Sequence, residues 1–236
     1  VRSRRQRQMC IRDSREGNSL AEGEIHGQNG GYPIAIALSN DAVKLAVSMI
    51  NINEGSVKST IAFYNYGTVG QNEIDHCVGV NNYDDMVIPE MEFTSNDRMV
   101  AFGDTKAVIF EGAQKPQAIA EIPMDEKTKS IFYNEHYIGI VTGNEDEAVT
   151  NHLAVYDENG KLVMEKDFGL DYSSIEFLTN NEICIRNANV CDIYTVHGVY
   201  KFHHEFEEEL FEIIPGKLKL NYTLVLKDTT QRIRLK

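Results

Sequence analysis

Nowhere in these 236 residues do eighteen apolar positions run together, so no segment reads as a membrane-spanning helix. No charged-then-apolar leader opens the chain either. Basic residues are scarce: 23 lysines and arginines stand against 36 aspartates and glutamates, a formal net charge of −13. A surface of that sign repels phosphate backbones, which sets nucleic-acid binding aside. Four cysteines are too few for a disulfide-dense scaffold, and none falls in a CxxC pair that would signal zinc. There is no GxSxG, no HExxH, no Walker A loop and no GxGxxG, so no hydrolase, nucleotide or cofactor motif stands out. Helical periodicity is weak throughout. Five prolines against 17 glycines fit a chain with many tight turns, and 42% hydrophobic residues can fill a core, which argues against global disorder.

The first fourteen residues differ from the rest. Arg4-Arg5-Gln6-Arg7-Gln8-Met9-Cys10-Ile11-Arg12-Asp13-Ser14 resembles a translated sequencing-library transposon adapter over eleven consecutive positions. Residues 1–14 are therefore read as foreign to the fold; a basic arm for nucleic acid or anionic lipid is the alternative. Setting aside their five arginines and one aspartate leaves 18 basic and 35 acidic residues, a net charge of −17. On this reading the chain is an N-terminally truncated fragment. Residues 15–30, polar and glycine-rich, are expected to be a linker or the tail of a missing upstream blade.

From there a pattern repeats. A strand runs into a tight polar turn and a second apolar strand at Leu38-Ser39-Asn40-Asp41, at Phe93-Thr94-Ser95-Asn96-Asp97, at Phe132-Tyr133-Asn134-Glu135 and at Phe177-Leu178-Thr179-Asn180-Asn181. The anchors Leu38, Phe93, Phe132 and Phe177 lie 55, 39 and 45 residues apart. Each unit continues with a third strand ending in an aromatic residue: Ile61 to Tyr64, Ala107 to Phe110, Leu153 to Tyr156 and Cys191 to Tyr194. A fourth, more polar strand follows in three of them, at Gln117 to Ile122, Leu162 to Phe168 and Val199 to Phe206. Asn159-Gly160 suits a two-residue hairpin turn with positive φ at both positions. Residues 210–236 read as a fifth, shortened unit. Four strands per unit at this period predict an all-β, β-propeller-like fold of WD40-like four-stranded blades. The domain is expected to span 31–236, with about four to five blades in an incomplete ring. A β-sandwich is the alternative, but sandwich strands do not group in fours.

The block Gly31-Tyr32-Pro33-Ile34-Ala35-Ile36-Ala37-Leu38-Ser39-Asn40-Asp41, followed by Lys44-Leu45-Ala46-Val47-Ser48 and by Phe63-Tyr64-Asn65-Tyr66-Gly67-Thr68-Val69-Gly70-Gln71-Asn72, resembles the domain-of-unknown-function family 5711, found mainly in Firmicutes. Asn40 and Ala42 depart from the usual hairpin, where a Pro and a Gly are commoner. The resemblance implies a membrane-tethered bacterial protein whose single transmembrane helix lies upstream and whose propeller-like domain faces outside the cell membrane. It brings no established activity and no catalytic residues.

Candidate sites are few. Tyr64, Asn65, Tyr66, Gln71 and Asn72 form a long connection of the kind that lies on a propeller face, where amides can bind a partner's backbone; packing of the tyrosines between blades is the competing reading. His203-His204 cannot easily share a metal, because adjacent strand residues point to opposite faces. Asn144-Glu145-Asp146-Glu147 lacks the spacing of a calcium loop. His76 beside Cys77 and Asp75 has no identifiable third group to orient it. If Asn187-Ala188 forms a two-residue turn, Cys184 and Cys191 face each other; half-buried free thiols are expected, with a disulfide open in an oxidising compartment. No cofactor and no metal are expected. The function that follows is a non-enzymatic, monomeric binding or scaffold module on the extracytoplasmic face of the cell membrane. Its partner would be a protein or the cell wall, and its only membrane contact the missing upstream helix. The alternatives are a hydrolase or carbohydrate-active enzyme with its site in the propeller's central channel, and a cytoplasmic location.

Overall fold

A computed structural model describes residues 8–11, 21–24, 31–53, 55–67, 76–124, 127–143 and 151–235. Among them every regular element is a β-strand, and no helix is long and apolar enough to cross a membrane. The chain divides into two compact units, residues 1–126 and 127–236. Of the first fourteen residues only the backbone of 8–11 is described: β1 (Gln8–Ile11) pairs antiparallel with β2 (Ala21–Glu24). The remainder of 1–14 and of the 15–30 segment lies outside the described residues.

In the first unit β3 (Tyr32–Leu38), β4 (Lys44–Asn53), β5 (Ser56–Asn65) and β6 (Cys77–Asp84) form one antiparallel sheet in chain order. A second sheet follows from β7 (Glu90–Ser95), β8 (Arg98–Phe102), β9 (Lys106–Glu111) and β10 (Gln117–Pro123). Alternation directs Ala46, Ile61, Phe63 and Val78 of the first sheet and Phe93, Met99, Val108 and Phe110 of the second into one core. The connector adds Met86 and Ile88 to that core. Its carbonyls are held by two buried hydroxyls: Ser59 Oγ donates to Met86 O at 2.6 Å and Ser48 Oγ to Ile88 O at 2.8 Å. Buried backbone acceptors need such partners.

The second unit repeats the plan. Its first sheet is β11 (Thr128–Tyr133), β12 (Tyr137–Gly143), β13 (Asn151–Asp157) and β14 (Leu162–Phe168). The next is β15 (Ser174–Phe177), β16 (Ile183–Arg186), β17 (Val190–Tyr194) and β18 (Tyr200–Glu205). The last has three strands, β19 (Leu210–Pro215), β20 (Asn221–Leu226) and β21 (Thr230–Arg234). Ile183 and Ile185 pack with Phe132, Val141 and Val155 of the preceding sheet. Cys184, Cys191 and Ile193 pack with Leu210, Tyr222 and Leu224 of the following one. The β15–β18 sheet is thus covered on both faces, which a two-sheet sandwich cannot do; this is mutual burial between successive blades.

The four-stranded sheets share a further mark. Next to the aromatic end of each third strand the fourth strand carries one extra residue: Val78 beside Phe63 and Tyr64, Ile119 beside Phe110, Val163 beside Tyr156, and Lys201 beside Tyr194. A bulge at one recurrent position is a repeat in geometry as well as in sequence. The fourth strand of the first unit's leading sheet, β6, escaped the sequence reading because the long 66–76 connection separates it from β5.

Two turns differ from expectation. Asn159-Gly160 is not a two-residue turn with two positive φ angles; only Gly160 is left-handed, at φ 75°, within a wider turn closed by Asp157 N–H to Lys161 O at 2.9 Å. Asp157 Oδ1 accepts the amides of both Asn159 and Lys161, which fixes that wider form. Between β16 and β17 the central pair is Ala188-Asn189, not Asn187-Ala188, because Asn187 Oδ1 accepts the amides of Asn189 and Val190. Cys184 therefore lies opposite Ile193 and Cys191 opposite Arg186. The two cysteines are diagonal neighbours, free, and fully buried rather than half-buried.

Candidate functional site

Within the first unit, a groove of about 790 Å³ opens between β6 and the β9–β10 pair. Its walls are Asn82, Tyr83 and Asp84 from β6, Thr105 and Lys106 at the start of β9, and Glu121 and Pro123 from β10, with Met86 at the base. The local chain dictates this composition. Along β6, Tyr83 is half-buried against the core while Asn82 and Asp84 are exposed. Met86 is 2% exposed and occupies the space left at Gly103, where an added Cβ would meet Met86 Cε at 2.0 Å.

Lys106 connects the two sides. Its Nζ donates to Glu121 Oε1 at 2.7 Å and lies 5.7 Å from the centre of the Tyr83 ring. Burial, and secondly the Glu121 charge, push the Tyr83 hydroxyl pKa up to about 12, so at neutral pH it is a neutral donor. Asn82 Oδ1 accepts from Thr60 Oγ1 at 2.9 Å, its cross-strand neighbour in the β5–β6 pairing. The groove combines an aromatic wall, a paired ammonium and two exposed carboxylates at Asp84 and Glu121. Such a set suits recognition of a polar segment carrying a cationic group.

The residues singled out in the sequence sit elsewhere. Tyr64 and Tyr66 pack beside Leu45, Val47, Met49 and Ala62. Asn65 is buried; its Oδ1 accepts the Gly67 amide at 2.8 Å and its Nδ2 donates to Gln114 O at 3.4 Å. These contacts tie Asn65 into the sheet ends, so its amide is engaged inside the fold. Tyr66 lies 5.0 Å from the His76 ring. Gln71 and Asn72 lie outside the described residues, as do Asp75 and the 144–147 acidic run.

His203 and His204 point to opposite faces as expected. His203 Nδ1 is 2.7 Å from Asp192 Oδ1, and His204 stacks on Phe202 and meets Phe206 edge-on. Among the described residues no group of three His, Cys, Asp or Glu side chains is placed to hold a metal. The groove was not anticipated, because it is made by strands far apart in sequence.

Comparison with solved structures gives the fold. The chain is similar to the WD40 domain of Neurospora crassa Pan2, with 6% identity and a TM-score of 0.51, covering 96% of this chain and 69% of that one. It is similar to Sqt1 from Chaetomium thermophilum, with 11% identity and a TM-score of 0.51, covering 84% of this chain and 56% of that one. The β-propeller domain of the Trilobed protease from Pyrococcus furiosus matches at 10% identity and a TM-score of 0.47, over 87% of this chain and 71% of that one. At such identities the likeness to Pan2 and Sqt1 shows the fold alone, and the fold is β-propeller-like. A search of curated proteins found no match. A family model matches residues 6–235, almost the whole sequence, and on that match the chain belongs to the Family of unknown function (DUF5711).

Proposed function

We propose that this protein is a non-enzymatic binding module that holds a segment of a protein or cell-wall partner in the groove between β6 and β10. One observation supports the reading most directly: an open cavity of about 790 Å³ in which the Tyr83 ring, the Lys106–Glu121 pair and the Asp84 carboxylate meet. Stacked blades make a rigid platform, so a ligand meets preorganised groups and little ordering entropy opposes binding. The acidic balance of the chain, −13, adds attraction for a cationic partner. Placement on the extracytoplasmic face of a cell membrane, through a helix upstream of this sequence, belongs to the same proposal and draws on the family resemblance.

The test compares wild type with Tyr83→Ala and Glu121→Lys in recovering partners from the envelope fraction of the source cells. Glu209→Lys, on the second unit, is the charge-matched control. A partner retained by wild type and the control but lost with both groove variants supports the reading. Partners that ignore the groove variants refute the site. Turnover of glycoside or ester substrates by the purified protein refutes the non-enzymatic assignment.

A further inference from the structure

We infer that Cys184 and Cys191 are a disulfide-forming pair that staples the β16–β17 hairpin when the protein folds in the presence of a disulfide oxidant. The two Sγ atoms lie 3.5 Å apart across the hairpin. An S–S bond is about 2.05 Å, so closure requires the two sulfurs to approach by roughly 1.5 Å. Both residues are fully buried, on the face that packs against Leu210, Ile213, Tyr222 and Leu224. No other cysteine belongs to that core cluster.

Burial also decides when the bond forms. In the folded protein the Cys191 thiol, followed by burial, raises the Cys184 pKa far above its ordinary value, so the nucleophilic thiolate is scarce. The enclosing side chains exclude an oxidant as well. Formation therefore belongs to folding, or to an opening of the β15–β18 sheet from the β19–β21 sheet. One thiolate attacks an external disulfide and releases one thiol. The second cysteine then displaces the other half as a second thiol. Two cysteines are oxidised, one external disulfide is reduced to two thiols, and the two protons leave on those thiols. Once buried, the bond is shielded from reducing thiols by the same packing.

The inference is independent of the groove and of any partner. The whole protein is unfolded, then refolded with reduced and oxidised glutathione, and compared with protein kept in dithiothreitol. Of the four cysteines in the sequence, two are expected to disappear from thiol titration in denaturant, with an intact mass lower by 2 Da. Trypsin cuts after Lys166, Arg186 and Lys201, so Cys184 and Cys191 fall in separate peptides, 167–186 and 187–201. These are expected to appear joined without reduction and apart with it. The melting temperature is expected to rise by about 5 °C on bonding, as a short closed loop predicts. Cys184→Ala and Cys191→Ala should each abolish the joined peptide and that rise. Four free thiols after oxidative refolding, or a joined peptide involving Cys77 in place of this pair, overturn the inference.

Discussion

Asn96, at the tip of the β7–β8 turn, accepts the backbone N–H of Asp41, at the tip of the β3–β4 turn, through its Oδ1 at 3.1 Å. The second unit has its own version: Asn134 Nδ2, after β11, donates to Asn181 Oδ1, after β15, at 2.8 Å. The polar turns that mark the sequence repeat therefore also link one blade to the next. Beside the first link, Lys44 Nζ donates to Asn96 O at 2.7 Å and to Asp97 Oδ1 at 2.6 Å.

The Lys44–Asp97 pair is lopsided, and its mutants should be too. The Lys44 side chain is 6% exposed and that of Asp97 is 54% exposed. Asp97→Ala leaves the buried ammonium with the Asn96 carbonyl as a hydrogen-bond partner and the Asp41 carboxylate nearby, and is expected to cost about 2–3 kcal/mol. Lys44→Met removes the buried charge and leaves Asp97 in water, at a cost of about 1 kcal/mol or less. Urea unfolding of the two variants checks the order; equal losses, or a larger loss for Lys44→Met, would contradict it.

Ala42 should be improvable. It sits at φ 58°, a left-handed conformation in which a Cβ crowds the following carbonyl by about 1–2 kcal/mol. This explains why a glycine is the commoner residue in hairpins of this kind. Ala42→Gly relieves the strain and gives back part of the gain as unfolded-state entropy. A net stabilisation of about 0.5–1 kcal/mol is expected, read as a higher urea midpoint with an unchanged slope. A drop in midpoint would show that the turn holds Ala42 by contacts the backbone angle does not reveal.

Much of the fold was legible because its determinants are local. The anchors Leu38, Phe93, Phe132 and Phe177 and the aromatic third-strand ends recur in the chain, and both strand period and turn chemistry act over a few residues. The shortened last unit, read as 210–236, is β19 to β21. The candidate site was not legible for the opposite reason. Tyr83, Lys106 and Glu121 meet only after two sheets stack, and no short motif joins them. For Asn65 the chain shows an amide beside a long connection but not that the Gly67 backbone amide bonds to its oxygen. Lys201 shows the same limit. It occupies the bulge position where the other three four-stranded sheets carry Val78, Ile119 and Val163, and only its partners across the layer explain a charge there.

Those partners make stability alkaline-sensitive. Lys201 Nζ donates to Glu182 Oε1 and to Tyr222 OH, the latter at 3.2 Å, and Tyr222 OH donates to Glu182 Oε2 at 2.5 Å. Burial works to lower the Lys201 pKa, but the bonds to Glu182 and Tyr222 outweigh it and the net shift is upward. For Tyr222 burial raises the pKa, the Glu182 bond adds to it, and Lys201 opposes. Tyr83 and Tyr194 are both pushed up to about 12, by burial first and by neighbouring carboxylates second. All four groups hold their protons more tightly folded than unfolded. Their contribution is therefore complete below the unfolded values of 10.0 for tyrosine and 10.5 for lysine, and is lost as pH rises through the folded values. The urea midpoint is expected to stay level in this respect from about pH 7 to 9 and to fall above about pH 10. Tyr222→Phe should lose about 1 kcal/mol at neutrality, the net value of its hydrogen bond, and show a shallower alkaline fall. Lys201→Met leaves the Glu182 carboxylate, in a residue only 8% exposed, with Tyr222 as its remaining partner in this cluster. It should cost about 3 kcal/mol at pH 7, because a buried carboxylate loses its charge partner. Urea unfolding of the three proteins from pH 7 to pH 11 measures these losses and slopes, and a Lys201→Met protein as stable as wild type at pH 7 would remove Lys201 as the charge partner of Glu182.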